Sequence, residues 1–245
     1  VRAGAHSPIS GVLHAVFLML FLLAAAIIAG VLGHFVDAGV IVAVVLVNAI
    51  VGFVQEGRAG LLPLRVSGAG FERTIAVRTP RSRVLAIAGH DDPRPREVLA
   101  GLPLGDLPQV LMEGGRRWWL AELESETVLR NATPPWEAIG ALAQSTESMG
   151  LCVYARSDDP VYYLAVRAWV GAPAPFEDAA SGAAHATLAA WLASQNALPG
   201  DTGFYRISQG REVGHDAIIE LSVDAAGDVW SGGRVCTVIE GTIRW

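Results

Sequence analysis

Phe176-Glu177-Asp178-Ala179-Ala180-Ser181-Gly182-Ala183-Ala184-His185 is the stretch whose reading decides the fold. Ahead of it lie a strand-like run, 161–169, and a Pro/Gly elbow, 171–175. Behind it comes an alanine-rich segment with Leu188, Trp191 and Leu192 at helical spacing. Two acids, a small hydroxyl and a glycine therefore fall where a loop becomes a helix N-terminus. Free backbone N–H groups and the helix dipole make such a place receptive to an anion. Asp178 beside it is suited to hold an ammonium group or to take part in proton transfer. The plainer reading is an N-cap at Ser181, with acidic residues favouring the start of the helix.

Composition narrows the classes of function. The 245 residues carry a formal net charge of −6, without the basic cluster or stripe of a nucleic-acid binder. The two cysteines, Cys152 and Cys236, each sit in an apolar strand-like run. They exclude a disulfide framework and a CxxC metal site, and are expected as buried thiols. No cofactor and no metal are expected. The pair Asp91-Asp92, beside His90, reads as a helix-capping turn rather than a metal site.

The apolar excess lies before Val54. Residues 11–35 match the length of a membrane-spanning helix, and 38–54 form a second, shorter apolar run. Arg2 precedes the pair, and Arg58 and Arg65 follow it. Residues 1–60 are therefore predicted to be a helical hairpin in contact with membrane lipid, with both ends and the following domain on the cytoplasmic side. Residues 61–70 have a linker's composition. Residues 2–11 followed by His14 resemble a piece of a SulP-type anion transporter. Residues 33–59, from Gly33-His34-Phe35-Val36-Asp37 through Asn48 to Arg58-Ala59, resemble the second membrane helix of cation-transporting P-type ATPases. Neither resemblance implies transport by this chain, which has no DKTGT phosphorylation motif and no further apolar span.

The rest reads as alternating short elements. Strands are expected at 71–77, 83–88, 117–123, 151–155, 161–169 and 204–207. Helices are expected at 95–102 and 136–148, the latter with Ile139, Leu142 and Ala143 on one side. Trp118 and Trp119 point to opposite faces of their strand, so one is expected in the core and the other partly covered. After the focal helix, Gln209-Gly210 opens a loop where glycine permits close approach to a ligand. A meander follows at 217–223, 229–231, 234–240 and 242–245, with turns at Gly227-Asp228, Gly232-Gly233 and Glu240-Gly241. Short elements with Gly, Asp and Pro turns indicate α+β with mixed or antiparallel pairing.

The series strand, Glu177-Asp178-x-x-Ser181-Gly182-Ala183-Ala184, helix, Gln209-Gly210 and meander resembles the C-terminal half of PhzF-type isomerases. With weaker marks at Gly115, Trp119, Leu123 and Gly150, the likeness extends back to about Phe71. It implies a diaminopimelate-epimerase-like α+β domain over 71–245, incomplete because the family's N-terminal half is largely missing. It further implies a small acidic or amino-acid-like substrate, and a homodimer is compatible with it. Asp178 matches the family's substrate-binding acid, Ser181 and Gly182 its Thr-Gly pair, and Gln209 and Gly210 its QG loop. Ala179 and Ala183 replace a proline and a serine, and His215-Asp216 stand where Arg-Pro is usual. The GNP segment and the general acid/base glutamate of the family's first half are absent. No catalytic residue is therefore assigned. The chain is expected to be an isomerase that takes its base from elsewhere, or else a membrane-anchored ligand-binding remnant, with membrane transport by a P-type ATPase-like or SulP-like fragment as a second alternative.

Overall fold

The computed structural model describes residues 62–88 and 93–235. These fall in a single compact unit that begins at Leu62. The hairpin expected at 1–60, the His90-Asp91-Asp92 turn, Cys236 and the strands expected beyond 235 lie outside the described residues. No helix among the described residues is long and apolar enough to cross a membrane.

One eleven-stranded sheet dominates, in the spatial order β1-β2-β11-β10-β9-β7-β6-β5-β4-β3, with β8 paired to β7 off this path. The strands are β1 Leu64–Ser67, β2 Thr74–Arg78, β3 Arg83–Ile87, β4 Val110–Gly114, β5 Arg116–Glu122, β6 Gly150–Arg156, β7 Leu164–Val170, β8 Phe176–Asp178, β9 Phe204–Gln209, β10 Ala217–Val223 and β11 Val229–Arg234. The helices are α1 Pro93–Arg96, α2 Glu126–Asn131, α3 Trp136–Thr146 and α4 Gly182–Ser194.

Two pairs, β5·β6 and β7·β9, are parallel, and the other pairs are antiparallel. A parallel pair cannot be joined by a tight turn and needs a crossover, usually helical. Here α2 and α3 carry the chain from β5 to β6, and α4 carries it from β7 to β9. The crossovers run on opposite faces of the sheet, which explains its two apolar clusters. On the α4 face lie Trp118, Leu120, Cys152, Tyr154, Leu164, Val166 and Ile207 with Leu188, Trp191 and Leu192. On the other face lie Trp119, Leu151, Val153, Ala165 and Trp169 with Leu129, Ile139 and Leu142. The strict alternation along β5, β6 and β7 follows from side chains pointing to opposite faces of a strand. Both tryptophans of β5 are thus core residues, Trp118 2% and Trp119 0% exposed, against the expectation that one would be only partly covered. Trp119 gains a polar partner as well, its indole N–H donating to Thr146 Oγ1 at 3.2 Å.

The sheet curls around α4, which packs against β3, β4 and β5 from one end of the strand order and β10 and β11 from the other. Residues 79–82 suffice to join β2, next to one end of that order, to β3 at the other end. The two ends of the sheet must therefore meet. Gly114 lies at this seam, where a Cβ would collide with Ser82 and come within 2.9 Å of Thr187 on α4.

Several boundaries differ from the sequence reading. Leu64–Ser67, within the stretch of linker composition, pairs with β2 as an edge strand. The helix expected at 95–102 is the shorter and earlier Pro93–Arg96, after which the chain turns toward Gly101 at φ +78°. Gly232-Gly233 is not a turn but the middle of β11, paired with Ile75 and Ala76 of β2. A side chain at Gly232 would run into the Ile75 carbonyl, so glycine is there for strand contact rather than chain reversal.

Candidate functional site

The stretch 176–185 folds as expected in kind. Phe176–Asp178 forms β8 against β7, and Ser181 caps α4, its Oγ accepting the Ala184 N–H at 3.4 Å. Asp178 ends its strand in a local turn, with Oδ1 accepting the Ala180 N–H at 3.2 Å. No cation among the described residues lies against this half-buried carboxylate. The N–H groups of Gly182 and Ala183, in the first turn of α4, have no acceptor among the described residues. Gly182 is exposed, and a Cβ there would meet nothing within 4 Å, so the way to these donors is open.

Gln209 closes the arrangement from the neighbouring strand. Its Oε1 accepts the Ser181 N–H at 3.2 Å, and its Nε2 donates to the Asp178 carbonyl oxygen. One buried amide thus pins both sides of the 178–182 turn. Gly210 follows at φ +89°, and a Cβ there would stand 2.5 Å from the Ala179 carbonyl oxygen. The left-handed backbone and the close approach both demand glycine. The five residues expected to form a binding site, Asp178, Ser181, Gly182, Gln209 and Gly210, are therefore brought together. They divide the labour: Gln209, Gly210 and the Ser181 cap build the loop, while the Asp178 carboxylate and the Gly182 and Ala183 N–H groups stand at its open side.

His185 sits one helical turn below the cap, 1% exposed, with Nε2 against Gln209 Oε1. Burial lowers its pKa from 6.5 to about 4, against the opposing pull of the Gln209 hydrogen bond and the Asp178 charge. A neutral imidazole so engaged and enclosed is no general base for a ligand at the loop. Cys152 is likewise inert, buried in β6 with its thiol pushed up to about 12 by desolvation.

Behind the loop, on the α2 face of the sheet, is an ion network absent from the sequence reading. Arg167, in the middle of β7 and 4% exposed, grips Glu177 with two bonds of 2.9 and 2.7 Å. It also donates to the Leu129 and Ala132 carbonyls at the end of α2, at 3.0 and 2.6 Å. Arg130 of α2 binds Glu212 at 3.0 Å, Glu126 at 3.0 Å and Ser208 Oγ at 3.0 Å. Burial tends to raise the pKa of Glu126, but hydrogen bonds from Ser157, Tyr162 and Arg130 outweigh it and hold the carboxyl below its usual range. Glu177 precedes Asp178, and Glu212 follows Gly210 by two residues. The two arginines therefore anchor both arms of the loop from the far side of the sheet. The turn after Gly210 also keeps a cation despite His215-Asp216, since Arg211 reaches Asp216 at 3.3 Å.

The signal for these residues was present. An arginine inside the apolar run Leu164–Val170 must be buried and needs a partner, and Glu126 and Arg130 are spaced i,i+4 behind the cap Ser125.

This fold recurs in known proteins. Residues 35–241 match the model of the phenazine biosynthesis-like protein family, PhzC-PhzF. The chain belongs to this family. The match begins at residue 35, where the first apolar run ends, so it takes in the whole second run of the stretch read as a membrane hairpin, and a hairpin over 1–60 has no support from it. The chain is similar to antisense-enhancing sequence 1 of Schizosaccharomyces pombe, 25% identical over 206 residues, 77% of this chain and 65% of that protein. Among solved structures, the PhzF-family phenazine biosynthesis protein of Bacillus anthracis superposes with a TM-score of 0.58 at 18% identity, covering 72% of this chain and 62% of that one. A protein described as a predicted epimerase, from Pseudomonas aeruginosa, superposes with a TM-score of 0.57 at 21% identity, covering 73% and 61%. This PhzF-family chain thus spans a little under two thirds of those proteins' lengths. A segment of 43 residues, 18% of the chain, is 58% identical to the calcium-transporting ATPase of Bacillus subtilis. That segment is 5% of the ATPase.

Proposed function

We propose that the described unit is the substrate-holding part of a PhzF-type isomerase, acting by proton transfer on a small acidic or amino-acid-like molecule. The carrying observation is the pair of free N–H groups, Gly182 and Ala183, opening beside the uncompensated carboxylate of Asp178. Two N–H donors at the positive end of a helix receive a carboxylate. A carboxylate next to them receives an ammonium group. Together they read the two charges of an α-amino acid, whose reacting carbon lies between those charges. Membership of the family, and the likeness of fold to a protein described as a predicted epimerase, support chemistry at that carbon. Neither His185 nor Cys152, both buried and neutral, is the proton-transfer base. The part proposed for the loop is to bind and orient.

The test is a pair of titrations on the full 245-residue chain, following the Gly182 and Ala183 amide resonances with propionate and with L-alanine. Both ligands carry the carboxylate, and only alanine carries the ammonium. Both are expected to shift these two resonances, and Asp178→Asn is expected to weaken alanine binding at least fivefold while sparing propionate. Resonances unmoved by either ligand would overturn the reading.

A further inference from the structure

We infer that His185 is a positioning residue, which through Gln209 sets the turn that presents the Gly182 and Ala183 N–H groups. The inference rests on the binding reading just given for that turn. Its geometry can be derived from the backbone outward. The Ser181 N–H can only donate, so the Gln209 atom 3.2 Å away is the amide oxygen. The amide nitrogen then faces the Asp178 carbonyl, which can only accept. Both ends of the amide are thus fixed by the main chain. His185 Nε2 meets the same amide oxygen and must carry the ring's proton. The ring is therefore the neutral Nε2–H tautomer, and its Nδ1 is a bare acceptor, buried with no partner among the described residues.

An unsatisfied buried nitrogen is costly, and an apolar side chain on the inner side of α4 would avoid the cost. What the imidazole adds is a second donor to Gln209 Oε1. With the Ser181 N–H alone, the amide has one weak hold on its oxygen side. With both, it cannot rotate without breaking three bonds, the third being that of its Nε2 to the Asp178 carbonyl. The His185 backbone ties ring and cap together, since its own N–H donates to the Ser181 carbonyl at 3.1 Å. Side chain and main chain of one residue therefore brace the cap from two directions.

Amide hydrogen exchange and propionate titration of the full chain test this in wild type, His185→Leu and His185→Gln. Leucine fills the space without a donor, and glutamine returns an N–H near the position of Nε2. In His185→Leu, exchange of the Ser181 N–H is expected to quicken at least tenfold while that of Leu188, deeper in α4, stays within twofold. Propionate affinity is expected to fall at least fivefold, and His185→Gln to restore most of both. An unchanged Ser181 rate in His185→Leu, or an equal rise at Leu188, would overturn the positioning role, the latter by showing a general loosening of the helix. Should propionate fail to bind the wild type, the binding reading falls by itself, and the exchange rates still decide whether His185 holds the turn.

Discussion

At the scale of single residues, His185 gives the clearest physical consequence. Its pKa is lowered from 6.5 to about 4, chiefly by burial. Between those values the unfolded chain holds a proton on this residue and the native protein does not. Protonation therefore favours the unfolded state, and the contribution of His185 is intact above pH 6.5 and lost as pH falls toward 4. At about 1.4 kcal/mol per pKa unit, the whole span is worth about 3 kcal/mol. Carboxylates with lowered pKa, Glu126 among them, also weaken the fold in acid, so the informative quantity is a difference. Urea unfolding of wild type and His185→Gln at a series of pH values is expected to show curves that converge from pH 6.5 down to 4. Parallel curves would mean that the imidazole titrates normally in the native protein.

At the scale of elements, the site depends on strands whose charges face away from it. Arg167 meets Glu177 across β7 and β8, both side chains 4% exposed, and completes the end of α2 through two carbonyls. A buried pair of this kind adds little compared with an apolar pair, but removing one partner leaves a charge stranded. Arg167→Met is expected to cost about 3–5 kcal/mol in urea unfolding at neutral pH. Adding Glu177→Leu is expected to return part of that loss, although it removes more native bonds. A double variant weaker than the single by the full additive amount would show that the pair acts through something other than charge compensation. The sequence reading placed most of these elements but not this dependence. Periodicity locates β7 and α3, because core side chains recur at intervals set by local backbone geometry. The pairing of residue 167 with residue 177, or of 130 with 212, depends on which strands become neighbours, and no local spacing encodes that. The same limit explains Trp118 and Trp119. Alternation says that they face apart, but only the two helical crossovers determine that both faces are covered.

At the scale of the whole described unit, the controlling fact is that a single sheet wraps α4 and its ends meet through residues 79–82. The glycine loop was legible because its residues are contiguous and its cap chemistry is local. The closing of the sheet was not, and the misreading of Gly232-Gly233 as a turn shows why: glycine marks a reversal and a close strand contact alike. The structure assigns Gly232 to the contact. It pairs with Ala76 in the ladder of β11 and β2, where a Cβ would strike the Ile75 carbonyl and stand 2.6 Å from the Ala76 Cα. The obstructing atoms are the main chain of β2 and the Ala76 Cβ, with no flexible group to yield, so Gly232→Val must part β2 from β11. The break would not stay at one ladder. β1 is held by β2, and the seam relies on the Thr79 N–H donating to the Val229 carbonyl at 2.9 Å. Hydrogen exchange of the full chain carrying Gly232→Val is therefore expected to show at least tenfold faster exchange in β1 and β2. Protection in β6 and β7, covered on both faces, should change much less. Uniform loss across all strands would mean that the wrapped sheet unfolds as one piece, and the seam would then be a requirement for the whole domain rather than a local closure.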